Sequence, residues 1–202
     1  MADWGYYEYM GMTFGLINTA TLNIAIALIV SYLILLIFTG NFLAPVLAII
    51  SIGSTITWVN AAILLMGYTF DLIGAILLVM VVGMSVDYAA HLTHFYNEAG
   101  GTRYEKSQGA LHGVGLSVVG GALTTFCAAI PLLFTQIIFF KEMGFFILFT
   151  ALFGLLFSFL LLMPLLMVLG PEGETGDVMA LVRRIKGQKG ALTSTTTVGK
   201  AV

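Results

Sequence analysis

Five nearly uncharged apolar stretches of about bilayer length set the terms for this chain: residues 21–39, 42–66, 72–96, 112–135 and 144–169. Crossing a hydrocarbon layer takes about 20 apolar residues in a helix. Lipid offers no partner to a bare N–H or C=O, so runs of this length cross as helices whose backbone bonds close internally. The expected fold is therefore an all-α polytopic membrane protein with five transmembrane helices. Composition agrees, with only 9% of residues charged against about a quarter in a soluble domain. Short polar breaks divide the runs. Gly40 and Asn41 form the first turn, and Gly67 and Tyr68 the second, with Asp71 placed to cap the helix that follows. Residues 97–111 are polar, and a short surface helix is expected from Arg103 onward. Lys141 and Glu142 read as a hinge, and Gly170, Pro171 and Gly173 end the last run. Three parts follow: an interfacial N-terminal segment at 1–20, a five-helix domain at 21–169 and a largely disordered tail at 170–202, with a short helix expected around 177–185.

Basic residues orient the bundle. Arg103 and Lys106 lie between the third and fourth spans, and Arg183, Arg184, Lys186, Lys189 and Lys200 follow the fifth, leaving Lys141 alone on the other side. Positive charge stays cytosolic, so the N-terminus is expected outside or in a lumen and the C-terminus in the cytosol, in the plasma membrane or an internal one. Trp4, Tyr6, Tyr7 and Tyr9 suit a membrane interface, and the acidic start lacks the basic flank of a signal peptide. A net charge of -2 leaves no footprint for nucleic acid. Cys127 is the single cysteine, so no disulfide framework exists, and it is expected to be a small buried packing residue.

Within the third span stands Asp87, the one acid of the chain that the sequence places deep in an apolar segment. A carboxylate in hydrocarbon is expensive and marks a functional site by default. At helical spacing Gly83, Asp87, His91 and His94 fall within an arc of roughly 80°, with Met80 beside them. Asp87 is the candidate proton or cation site, and His91, one turn away, the candidate relay. His94 and His112 sit where an interfacial anchor is expected. The spacing D-x-x-x-H-x-x-H can present metal ligands on one helix face, but with three histidines in the chain membrane di-iron chemistry has too few ligands. No metal, no cofactor and no enzymatic activity is expected.

The fourth span carries a stripe of small residues, Gly113, Ser117, Gly120, Thr124, Cys127, Ala128 and Pro131. Small residues let membrane helices approach closely. Gly113, Ser117, Gly120 and Thr124, with Gly83, are therefore expected to pack the fourth span against the Asp87 helix. Pro131 is placed to kink it. In the second span, Ser51, Ser54 and Thr55 share a face suited to cross-helix hydrogen bonds.

The segment GMSVDYAAHLTHFYNE resembles the G-x-S-x-D segment of the tenth transmembrane helix in Patched- and Dispatched-like proteins, members of the resistance-nodulation-division superfamily. Next, ALHGVGLSVVGGALTTFCAAIPLLF resembles that family's A-x-x-x-x-G, G-A-x-T-T and Pro-Leu features, and IIFFKEMGFFILFTALFGLLFSFLLLMPLLMVLGP resembles its last helix. The likeness covers roughly residues 20–171. It implies that the five spans correspond to the last five of twelve helices. It further implies that Asp87 is a coupling-ion site for proton or sodium, that Gly83 allows close helix approach beside it, and that His91 matches a histidine of the Patched–Dispatched branch. The implied activity is ion-coupled transport of a lipid, sterol or other hydrophobic substrate. A whole member also has a first half carrying the sterol-sensing segment and a partner acid, so that half or another subunit is an expected partner. The alternative is a non-transporting membrane subunit, or a lipid-binding or structural module, in which the polar stripe is only a packing seam.

Overall fold

The computed structural model describes residues 2–68 and 72–171. Helix α1 (Ala2–Thr39) leads by a tight turn into α2 (Leu43–Leu65), and α3 (Leu72–Glu98) follows. A short helix, α4 (Arg103–Ala110), continues through a π-helical turn at Leu111–Gly115 into α5 (Leu116–Leu133). Helix α6 (Ile138–Phe157) passes through a second π-helical turn, Ser158–Leu162, into α7 (Met163–Leu169). Among the described residues five helical stretches are long and apolar enough to cross a membrane, as the sequence predicts.

Several boundaries differ from the sequence reading. Helix α1 starts at Ala2, so residues 2–17 are helical and continuous with the first span, Asn18–Thr39. Helix α6 starts at Ile138, which places Lys141 and Glu142 inside it instead of at a hinge. Asp71 and residues 172–202, with the expected tail helix, lie outside the described residues.

The turn chemistry is local. Gly40 takes a φ of 60°, a left-handed conformation that costs glycine little. The Asn41 side-chain carbonyl then accepts from the Leu43 amide at 2.9 Å, satisfying a donor that the start of α2 leaves open. Pro45 sits in the first turn of α2, where its missing N–H is harmless.

Helix α3 is central: α1, α2 and α6 all pack on it. It buries Leu78, Val81, Val82, Leu92 and Tyr96, while α2 contributes Ala48, Ile52 and Val59. The hydroxyls among them close onto their own helices, since lipid offers no alternative: Ser85 donates to the Val81 carbonyl at 2.7 Å and Thr93 to Ala89 at 2.6 Å. Ser51 behaves differently and donates across to the Phe157 carbonyl at 3.1 Å. That carbonyl lies where α6 gives way to its π turn, a place where the helical ladder changes register.

Helix α4 fastens α7, the last of the described helices. Thr102 caps it in a reciprocal box with Glu105, as a Thr-x-x-Glu sequence provides. Arg103 Nη1 donates to the Val168 carbonyl at 2.9 Å, and the Tyr96 hydroxyl donates to Leu166 at 3.2 Å. Lys106 Nζ reaches the Pro171 carbonyl at 3.4 Å and lies 5.6 Å from the centre of the Tyr96 ring. Cationic donors suit a helix C-terminus, where carbonyls are unpaired and the dipole is negative. Gly170 makes room for this contact, because a Cβ there would come within 2.7 Å of Tyr96 Cζ. Tyr96→Phe is expected to cost about 1 kcal/mol, the net worth of one hydrogen bond. Thermal unfolding in detergent would register it, and an unchanged midpoint would show that the clamp is idle.

Candidate functional site

The face that α3 turns away from the core is the one carrying its acid. Gly83, Asp87 and His91 are all exposed, while Val82, Val86, Ala89 and Leu92 are buried behind them. Asp87 stands on a ridge between two clefts. One, of about 330 Å³, lies between α3 and α5 and is lined by Asp87, Tyr88, His91, Ser117, Gly121 and Thr125, among others. The second, of about 640 Å³, lies between α1 and α3 and takes in Asn23, Ser31, Gly83, Asp87 and apolar side chains. Asp87 and His91 thus share a cleft, as their one-turn spacing predicts. No hydrogen bond or ion pair joins Asp87 to another side chain among the described residues.

His94 is placed elsewhere. Its Nδ1 lies 3.2 Å from the Phe38 carbonyl and its Nε2 3.4 Å from Glu98, so it ties α3 to the end of α1. His112 is exposed in the π turn. Among the described residues no group of three or more His, Cys, Asp or Glu is gathered as metal ligands.

The small-residue stripe of the fourth span is only partly at this site. Ser117 lines the Asp87 cleft. A Cβ on Gly113 would meet the Phe95 ring of α3 at 3.4 Å. Gly120 and Thr124 do not pack on α3: both are exposed, and a Cβ at Gly120 would have nothing within 4 Å. Cys127 is exposed as well, rather than buried. Helix α5 instead buries Val118, Ala122 and Ala129, packs mainly on α6, and reaches α3 chiefly through its π turn. Gly121 and Thr125, one residue along from the expected pair, face Asp87. A π turn holds more residues than an α turn, and it shifts the faces of the following helix against a count made at constant spacing.

Two residues that the sequence did not single out matter here. Tyr88 is 8% exposed and closes the α3–α5 cleft from the inside, with Thr125 as a polar neighbour. Glu142, read from sequence as a hinge residue, is buried at 8% exposure in α6, beside Asn60, Tyr68 and Gly74. Asp87 is therefore not the only acid set within an apolar helix. The signal for Glu142 was hidden by Lys141, which made the pair look like a polar break.

Residues 15–193 match the family model described as the MMPL family. The chain belongs to the MMPL family. With it stands the likeness to Dispatched- and Patched-like proteins of the resistance-nodulation-division superfamily. This MMPL-family chain is 24% identical over 172 residues to protein dispatched homolog 1 of Mus musculus, covering 85% of the chain and 11% of that relative. It is 28% identical over 140 residues to protein dispatched homolog 3 of Mus musculus, covering 63% and 10%. To NPC intracellular cholesterol transporter 1 of Sus scrofa it is 26% identical over 190 residues, covering 90% and 15%. The chain thus spans about a tenth of the length of the dispatched relatives it matches. Family and helices together make it an integral, multi-pass membrane protein.

Proposed function

We propose that this MMPL-family chain forms part of the membrane domain of an ion-coupled exporter of a lipid, a sterol or another hydrophobic substrate, and that Asp87 takes up and releases the coupling ion, proton or sodium. The observation that carries this reading is the exposure of Asp87 between two clefts, on a helix whose buried Ser85 and Thr93 hydroxyls are satisfied by its own backbone. A charged carboxylate at the centre of a membrane helix costs about 2.5–3.5 kcal/mol on insertion scales. Binding a proton removes that cost, and binding a cation offsets it, so the occupied and empty forms favour different packings of the same face. His91 borders the cleft one turn from Asp87 and is placed to pass a proton along it. The role is binding and conformational change rather than bond-making chemistry. The sterol class is supported by the name of the cholesterol transporter among the relatives.

The basic residues set the orientation proposed here, with the N-terminus outside or lumenal and α4 and the C-terminus cytosolic. The open face of α3 is completed by helices from elsewhere in a longer polypeptide or from another subunit. The test is efflux of a fluorescent sterol analogue from proteoliposomes holding the protein at its natural length. Transport should follow an imposed proton or sodium gradient. Efflux indifferent to both gradients would overturn the coupling.

A further inference from the structure

Gly154 of α6 lies directly behind the Tyr88 ring. A Cβ built on Gly154 would stand 2.8 Å from Tyr88 Cδ2 and 3.0 Å from Cε2, with Thr55 Cγ2 at an ordinary 3.9 Å. The atoms met are the body of an aromatic ring whose residue is 8% exposed, not the free end of a flexible side chain. Nothing heavier than hydrogen fits on the helix at that position while the ring stays where it is. The other side of Tyr88 is the cleft it shares with Asp87, His91, Ser117 and Thr125. The ring is thus held between a notch in α6 and an open space beside the acid.

We propose that Gly154 is a positioning residue for the Asp87 site: its notch seats Tyr88 back against α6 and keeps the α3–α5 cleft open beside the carboxyl group. In a chain where Asp87 exchanges a coupling ion, as proposed above, the notch sets how far the cleft stands open. The free volume lies on the cleft side, so filling the notch drives the ring toward Asp87. A small shift of α6 along α3 does the same, which makes α6 able to act on the ion site without touching the acid. Two small residues near it are buried as well, Ala151 on α6 and Ser158 in the π turn that follows.

The test reads the acid directly and does not depend on transport. Dicyclohexylcarbodiimide enters membranes and forms a stable adduct with protonated carboxyl groups there. Its rate of reaction at Asp87, followed by mass spectrometry of the membrane-embedded protein at natural length, is compared between wild type and Gly154→Ala. Glu142, buried at the other end of α6, is the internal reference. The expected result is several-fold slower labelling of Asp87 in Gly154→Ala with Glu142 unchanged, and recovery in the double variant Gly154→Ala, Tyr88→Ala. Should Gly154→Ala fail to fold, recovery of folding in the double variant supports the seat, and continued misfolding overturns it. Equal labelling of Asp87 in wild type and Gly154→Ala, including none in either, overturns it as well. Gradient-independent efflux by the wild type would sink the ion-coupling proposal but leave the labelling comparison standing.

Discussion

Asp87→Asn is expected to abolish gradient-driven efflux while leaving the bundle folded. Asparagine has nearly the same shape but carries no charge, so it cannot exchange a proton or hold a cation. The carboxylate is exposed between two clefts, and no described side chain is bound to it. Removing its charge therefore breaks no internal pair and lifts the cost of a carboxylate in hydrocarbon, so the Asn variant should be no less stable than the parent. The two measurements are efflux from proteoliposomes and thermal unfolding in detergent. Lost efflux with unchanged unfolding supports the ion site. Unfolding of the Asn variant, with no transport in the parent, would favour the alternative of a structural module whose polar stripe is a seam.

The second large effect is expected at Gly144, and it separates the packing of α6 from the small-residue stripe of α5. A Cβ on Gly144 would lie 2.9 Å from Leu132 Cβ and 3.3 Å from the Leu132 backbone carbonyl carbon, where α6 crosses α5. Backbone cannot yield as a side-chain tip can. Gly144→Val should cost about 1–3 kcal/mol or more by forced displacement of the two helices. Gly120→Val, on the exposed stripe of α5, should leave bundle stability within about 0.5 kcal/mol, because nothing lies within 4 Å of its Cβ position. Equal losses at both sites in a thermal or denaturant series would show that the α5 stripe, and not α6, carries the close packing. Loss of efflux from Gly120→Val without loss of stability would place a partner against that stripe.

The difference between the two seams marks where reading the chain alone stops. Gly113, Ser117, Gly120 and Thr124 form a regular small-residue face, and close packing on α3 follows from it at constant helical spacing. The π turn at Leu111–Gly115 breaks that constancy, and residues one place along, Gly121 and Thr125, line the Asp87 cleft instead. The α6 seam was masked by its neighbours. Gly144, Ala151, Gly154 and Ser158 are spread through a run of Phe and Leu, where apolar content on every side erases the contrast that a face needs. Its ring-to-ring contacts follow the same helix: Phe145, Phe149 and Phe153 stack at centroid distances of 6.3 Å and 6.0 Å, which a four-residue spacing does make legible. The place of Tyr88 is not legible in the sequence, because a tyrosine beside an intramembrane acid has no pattern of its own until the helix behind it is known.

The sequence by itself determined the five apolar helices, the turn at Gly40 and Asn41, the capped surface helix from Arg103, and the line Gly83–Asp87–His91 along one face. All of these depend on interactions within a few residues, or on transfer between water and lipid, and both are properties of composition and local spacing. Tertiary structure alone decided which side of each helix meets a neighbour. It turned Gly120, Thr124 and Cys127 of the α5 stripe outward, buried Glu142, clamped α7 with Tyr96, Arg103 and Lys106, and set Tyr88 into the notch at Gly154. In lipid an apolar side chain gains little by leaving one greasy surface for another. Hydrophobicity therefore cannot choose the packed face of such a helix, and that choice rests on the shapes of side chains far apart in the chain.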